Sequence, residues 1–156
     1  MDRSKPSPYI LAMAIHVIKL VVGVEDLEGF YSLQSNEVVD YHGQAAVPCW
    51  TRYAPKRADE ILREGCSIYR VIKNRIQCRH RILGFEMVET KDKGRRCMIM
   101  QDAEMMRTVA MPHRPFQGWR YLDPAKAPRD VGLFVPGEIE EPPEDMAEEL
   151  REAGLL

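Results

Sequence analysis

The sequence predicts an α+β fold in which mainly antiparallel strands form a small barrel or half-open barrel with two short helices. The chain has 156 residues, of which 45% are hydrophobic, enough to bury a single core. The predicted elements follow one another in the order strand, helix, strand, helix and then a series of strands without further helices. Such a run of adjacent strands is typical of an antiparallel sheet that curls on itself.

The first half of the chain alternates strands and helices. β-Branched side chains dominate the first strand, and acidic residues open the helix that follows, whose apolar residues recur near helical spacing. Pro55 ends the next strand, and Gly65 stops the second helix. The predicted strands are 15–22 and 47–53, the predicted helices are 24–34 and 56–64, and residues 35–47 are a predicted loop.

The second half predicts strands alone, at 67–72, 75–89, 95–100, 107–111 and 118–122, with turns at "KNR" and "KDKG". In the strand 75–89, apolar and polar residues alternate. One face carries Ile76, Cys78, His80 and Ile82, and the other carries Arg75, Gln77, Arg79 and Arg81. This pattern predicts a core histidine at position 80 and a row of three guanidinium groups on the opposite face.

Charge and proline content divide the chain into three parts. Residues 48–121 hold 16 Lys and Arg against 8 Asp and Glu, a net +8, whereas residues 122–156 have a net −7. We therefore expect a flexible leader at 1–12, an α+β domain at 13–123 and an acidic, proline-rich tail at 124–156 with a possible short helix. The sequence leaves open whether the tail lies across the basic body or is solvated.

Cysteine usage and hydropathy favour a soluble cytoplasmic protein. No CxxC pair occurs, so we expect four buried free thiols in a reducing compartment and no metal site. The apolar stretch near the start contains His16 and Lys19 and is too short to span a bilayer, which predicts no membrane insertion. No motif indicates a cofactor, and the sequence does not indicate the oligomeric state.

Arginines and aromatic rings suggest a surface for single-stranded nucleic acid, which cations hold at the phosphates and flat side chains hold at the bases. The candidate residues are Arg52, Arg75, Arg79, Arg81, Arg114 and Arg120 as cations, Trp50, Tyr53, Phe116, Trp119 and Tyr121 as rings, and Gln117 beside them. The ordinary alternatives are that Trp119 packs in the core, that Gln117 belongs to a tight turn, and that Arg79 and Arg81 pair with Glu60, Glu64 or the acidic tail.

Three blocks, "IHVIKL", "SIYRVIKNRIQCRHRIL" and "FQGWRYL", resemble an uncharacterised family of short bacterial proteins found chiefly in alphaproteobacteria. A second pattern resembles the PUA-like barrels, particularly the EVE and ASCH domains. It consists, in order, of Lys19, Trp50, Arg52, Gly65, Tyr69, Gly84 and Val88. Cys66 and "KNR" depart from that pattern.

The PUA-like resemblance implies a small PUA-like barrel that binds RNA or a modified nucleobase, without catalysis, in a basic and aromatic groove between barrel and helix. It also implies an alternative, because some ASCH-like proteins are hydrolases: Lys73 and Glu86 would then act as base and acid on a small nucleoside-like substrate. A third possibility is a protein-interaction module that docks through Met146, Leu150 and Leu155 of the tail.

Overall fold

A computed structural model describes residues 14–138 of the chain. This part is mainly β, with two helices and one 3₁₀ turn. The strands are β1 (His16–Leu20), β2 (Val39–Tyr41), β3 (Gln44–Thr51), β4 (Ser67–Ile72), β5 (Arg75–Thr90), β6 (Gly94–Asp102), β7 (Met106–Pro112), β8 (Trp119–Leu122) and β9 (Asp130–Leu133). The helices are α1 (Leu27–Ser35) and α2 (Ala58–Arg63), and the 3₁₀ turn is Pro124–Lys126. The predicted leader lies outside the described residues.

The nine strands of the described part form one sheet in the order β2-β3-β6-β5-β4-β1-β8, with β7 and β9 branching from β5. Every pair is antiparallel except β1 with β4. The 16-residue strand β5 belongs to both halves of this sheet, because its first part pairs with β4 and β7 and its last part pairs with β6. The predicted content, mainly antiparallel strands with two helices, is confirmed.

The sheet does not close into a barrel, which corrects the closed-barrel expectation. Along its main path the sheet ends at β2 and at β8, and these two strands do not pair with each other. β8 instead contacts the residues that follow β3: the Trp119 indole Nε1–H donates to the Tyr53 carbonyl at 3.0 Å, and the Arg57 backbone N–H donates to the Tyr121 hydroxyl at 3.2 Å. We call the space between β8 and the end of β3 the seam.

Two strands lie where the sequence predicts none. β2 falls within the predicted loop 35–47 and joins β3 through His42 and Gly43, both of which have positive φ, as a two-residue type I′ hairpin requires. β9 falls within the predicted tail and pairs with β7. The ordered fold therefore extends past residue 123, and the predicted tail helix lies outside the described residues.

The face of the sheet that carries Val17, Ile68 and His80 forms one part of the interior, with the two helices packed on it. The opposite face carries a second buried cluster, which consists of Ile18, Tyr69, Val71, Ile76, Phe116 and Leu122. Ile61 anchors α2 in this core, and Phe30 anchors α1. All four cysteines are free and buried, and His80 is 1% exposed, as the sequence predicts. None of the helices in residues 14–138 is long and apolar enough to cross a membrane.

Candidate nucleic-acid interface at the seam

The register of β8, β1, β4 and β5 divides the candidate residues between two faces of the sheet. Partners in a ladder point to the same face, and neighbours along a strand point to opposite faces. Trp119 pairs with Lys19, which pairs with Arg70, and Arg70 pairs with Cys78. Arg120 belongs to the other row, with Ile18, Tyr69 and Arg79.

Arg79 and Arg81 therefore lie on the face opposite to Trp119, so one groove cannot hold them with Trp119 as predicted. On that face Arg79 forms a bidentate ion pair with Asp130, with N to O distances of 2.8 and 2.6 Å, and also donates to Ser67 Oγ at 2.9 Å. Asp130 belongs to the acidic segment 122–156. Arg79 is therefore paired with an acid of that segment, which is one of the alternatives to nucleic-acid binding given above. Arg81 is exposed beside Gly65, and Arg75 begins β5. The predicted row of three is also wrong at Arg75, because a β-bulge between Ile76 and Cys78 reverses the alternation: Ile76 pairs with Val71, and Cys78 pairs with Arg70.

A cavity of about 550 Å³ occupies the seam. We call it the seam cavity, and the residues that line it are Lys19, Trp50, Thr51, Arg52, Tyr53, Arg96, Gln117, Gly118 and Trp119. They come from β1, β3, β6, β8 and the segments that flank β3 and β8. Its size is that of an ordinary small-molecule pocket. Five of the candidate residues, Trp50, Arg52, Tyr53, Gln117 and Trp119, meet here.

Three aromatic rings of the seam cavity differ in how firmly they are held. Trp119 is half-buried, packs on the core beside Val17 and is fixed by its indole hydrogen bond. Trp50 is 39% exposed and Tyr53 is 65% exposed. The arrangement places one anchored ring and two accessible rings around the same space, so a flat group entering the cavity meets aromatic surface.

Three cations accompany these rings, and the lining contains no carboxylate. The guanidinium of Arg96 lies over the Trp50 ring at 6.0 Å from its centroid, and that of Arg52 lies over Tyr53 at 5.5 Å. Burial lowers the pKa of Lys19, and the positive charges of Arg70 and Arg96 lower it further. The seam cavity is therefore a positively charged, aromatic pocket.

The remaining candidates lie elsewhere. Phe116 is 8% exposed and packs in the core, so it is not a stacking platform; the Arg120 guanidinium covers its ring at 4.9 Å. Tyr121 is exposed beside Trp119, with 5.0 Å between ring centroids, but does not line the cavity. Arg114 is exposed in the loop before β8.

The structure does not bring together the two residues of the hydrolase alternative. Lys73 lies in the β4–β5 turn with positive φ, and its ammonium pairs with Glu25 at 3.0 Å. Glu86 lies in the part of β5 that pairs with β6 and accepts a hydrogen bond of 2.6 Å from the Tyr41 hydroxyl, which raises the pKa of Tyr41 to about 12. Neither residue lines the seam cavity.

Two cations near the seam, Arg96 and Arg70, are not among the candidates predicted from the sequence. Arg96 lies on the "GRRCMIM" strand, where alternation separates it from Arg95, but the partner strand that brings it to Trp50 is not readable from sequence. Arg70 is the single charged residue in the apolar strand "SIYRVI", a signal that could have marked it. Among the described residues, no group of three His, Cys, Asp or Glu could hold a metal ion.

The comparisons with known proteins agree with the resemblance to an uncharacterised family. A family model described as "Protein of unknown function (DUF1489)" matches residues 17–156. Comparison with the curated proteins and with the solved structures gives no match. The family match covers most of the chain, including every residue that lines the seam cavity. The chain therefore belongs to the DUF1489 family.

Proposed function

We propose that the protein binds single-stranded RNA and that one base, plain or modified, enters the seam cavity. The observation that carries this proposal is the lining itself: three aromatic rings, three cations and no carboxylate. A base stacks on flat side chains, and its phosphates need positive charge. A cavity of about 550 Å³ is large enough for one nucleotide but not for a duplex.

Binding without catalysis is the activity that this lining supports best. General acids, bases and nucleophiles are most often His, Asp, Glu or Cys. The residues around the seam cavity include none of these. A reaction at this position would depend on Lys19, Thr51 or Tyr53, and none of them has a neighbouring carboxylate or imidazole in the lining to activate it.

The PUA-like interpretation of the fold belongs to the same proposal. In it, the curled sheet is a half-open barrel whose seam serves as the binding groove. Three residues of the EVE-like pattern, Lys19, Trp50 and Arg52, line the seam cavity. Gly84 of that pattern lies directly under Tyr41, since a Cβ there would be 2.0 Å from the tyrosine hydroxyl.

The salt dependence of RNA binding tests the proposal. We expect Arg96→Ala to weaken binding of a short unstructured oligoribonucleotide and to reduce the slope of log K against log salt by about 0.7, the value for one phosphate contact on a single strand. The slope is measured by fluorescence anisotropy of a labelled oligonucleotide at several salt concentrations.

Arg95→Ala is the matched control, because it removes the same charge from the adjacent position of β6 on the opposite face. It should leave the slope unchanged. Equal losses in both variants, or no binding of the wild-type chain at low salt, would contradict the proposed site.

A further inference from the structure

A second cavity, of about 240 Å³, lies next to the seam cavity and shares Lys19 with it. It is bounded by β1, β3, β4 and β6 and by α1, and we call it the Arg70 cavity. We propose that the Arg70 cavity binds a terminal phosphate, held by the Arg70 guanidinium and the Lys19 ammonium. The assignment to RNA rests on the proposed function, whereas phosphate binding itself does not.

Arg70 is a buried charge whose contacts are all neutral. It is 6% exposed, and its guanidinium lies over the Phe30 ring at 5.0 Å. Its hydrogen bonds reach two backbone carbonyls of β1 at 3.3 and 3.5 Å, Gln101 Oε1 at 3.2 Å and Cys49 Sγ at 3.8 Å. Buried charges are usually paired with an opposite charge. Arg70 has no carboxylate partner among the described residues.

Lys19 places a second positive charge beside the first. Its ammonium makes no ion pair in residues 14–138, and burial together with the charge of Arg70 lowers its pKa. The Arg70 cavity contains one carboxylate, that of Glu37, which is exposed and pairs with neither cation. An anion between Arg70 and Lys19 would compensate both charges.

The register explains how one ligand could reach both cavities. Trp119, Lys19 and Arg70 are consecutive partners across β8, β1 and β4, and their side chains share one face. Neighbouring strands are about 4.8 Å apart, so the indole and the guanidinium originate roughly 10 Å from each other. A ring, an ammonium and a guanidinium in this order match the base and phosphate of one nucleotide.

The cavity favours a terminal phosphate over a phosphodiester within a chain. A terminal phosphate carries a charge of about −1.5 to −2 at neutral pH and has three acceptor oxygens. It therefore suits two adjacent cations better than the single charge of a phosphodiester.

The test compares one short oligoribonucleotide with and without a phosphate at its 5′ end, and likewise at its 3′ end. We expect a phosphate at one of the two ends to tighten binding to the wild-type chain about 10-fold or more, the size of a charge-assisted contact. Arg70→Met should abolish this preference.

Because loss of Arg70 can unfold the chain, Lys19→Met, at a half-buried position, provides the second variant. Lys91→Met, in the exposed β5–β6 turn, is the matched control and should keep the preference.

Inorganic phosphate separates the two proposals. It should raise the melting temperature of the wild-type chain above that in potassium chloride of equal ionic strength, and this rise should vanish in Lys19→Met. That result without any RNA binding would support the Arg70 cavity and overturn the proposed function. RNA binding that is indifferent to terminal phosphates, with no effect of inorganic phosphate, would overturn the Arg70 cavity and leave the proposed function standing.

Discussion

Replacing Trp50 with alanine is expected to weaken the binding of single-stranded RNA by about 5- to 150-fold. The reason is that one base stacked on an aromatic side chain contributes about 1 to 3 kcal/mol. Trp50 is 39% exposed, so its ring is accessible to a ligand, and its removal also releases the Arg96 guanidinium from its position over the ring. Anisotropy titrations of a labelled oligonucleotide measure the change.

Two controls separate stacking from folding. Trp50→Phe keeps a flat ring at the position and should retain most of the affinity. Most of the Trp50 side chain is covered, so Trp50→Ala should lower the unfolding midpoint in urea, and binding is compared under conditions where circular dichroism shows both variants to be folded. If Trp50→Ala binds RNA as tightly as the wild-type chain, Trp50 is not a stacking platform.

The stability of the fold is expected to fall by about 3 kcal/mol as the pH decreases from 7 to 4, through His80 alone. Burial lowers the pKa of His80 to about 4, against an ordinary value of 6.5. Between these two values the unfolded chain binds a proton that the folded chain does not, so acid favours unfolding. One pKa unit corresponds to about 1.4 kcal/mol, and the stabilisation is complete only above the unfolded pKa.

The structure explains why His80 resists protonation. Its Nδ1 lies 2.8 Å from the Asp102 carbonyl and 3.1 Å from the Glu104 carbonyl, which assigns the ring proton to Nδ1. Its Nε2 is buried with no hydrogen-bond partner in the described part of the chain, so a second proton there would be an uncompensated buried charge.

The measurement is urea unfolding of the wild-type chain and of His80→Asn between pH 4 and pH 7. Asparagine keeps a donor near the Nδ1 position but does not titrate. Between pH 7 and pH 4, the free energy of unfolding of the wild-type chain should fall by about 3 kcal/mol more than that of His80→Asn. Parallel pH profiles would show that His80 is not the group responsible.

Alternating patterns made most of the strands predictable. β4 is buried at all six positions and has the predicted bounds, Ser67–Ile72, because a short run rich in β-branched residues between turn residues indicates a strand. β5 differs from its prediction by one residue, because its apolar and polar residues alternate. β2 and β9 were not predicted, since strands of three and four residues at the edges of a sheet bury little and leave no such pattern. Edge pairing depends on the neighbouring strand, which single-strand patterns do not specify.

The seam cavity was predictable in its composition but not in its assembly. Trp50, Arg52 and Trp119 are chemically suited to nucleic acid, and the sequence identifies them on that ground. The alternation along β5 was also predictable from Cys78 onward, where it places Arg79 and Arg81 together, but the bulge after Ile76 that separates Arg75 from them was not. What the sequence does not specify is the parallel pairing of β1 with β4, and this register is what separates Arg79 from Trp119.

The most direct test uses the two tryptophans of the chain, both of which line the seam cavity. A nitrogen-15 spectrum therefore contains two indole Nε1–H signals, and a titration with unstructured oligoribonucleotide follows them together with the backbone amides. We predict that both indole signals shift along with amides of the seam. Shifts confined to the Arg79 and Arg81 face, with both indole signals unmoved, would contradict the account.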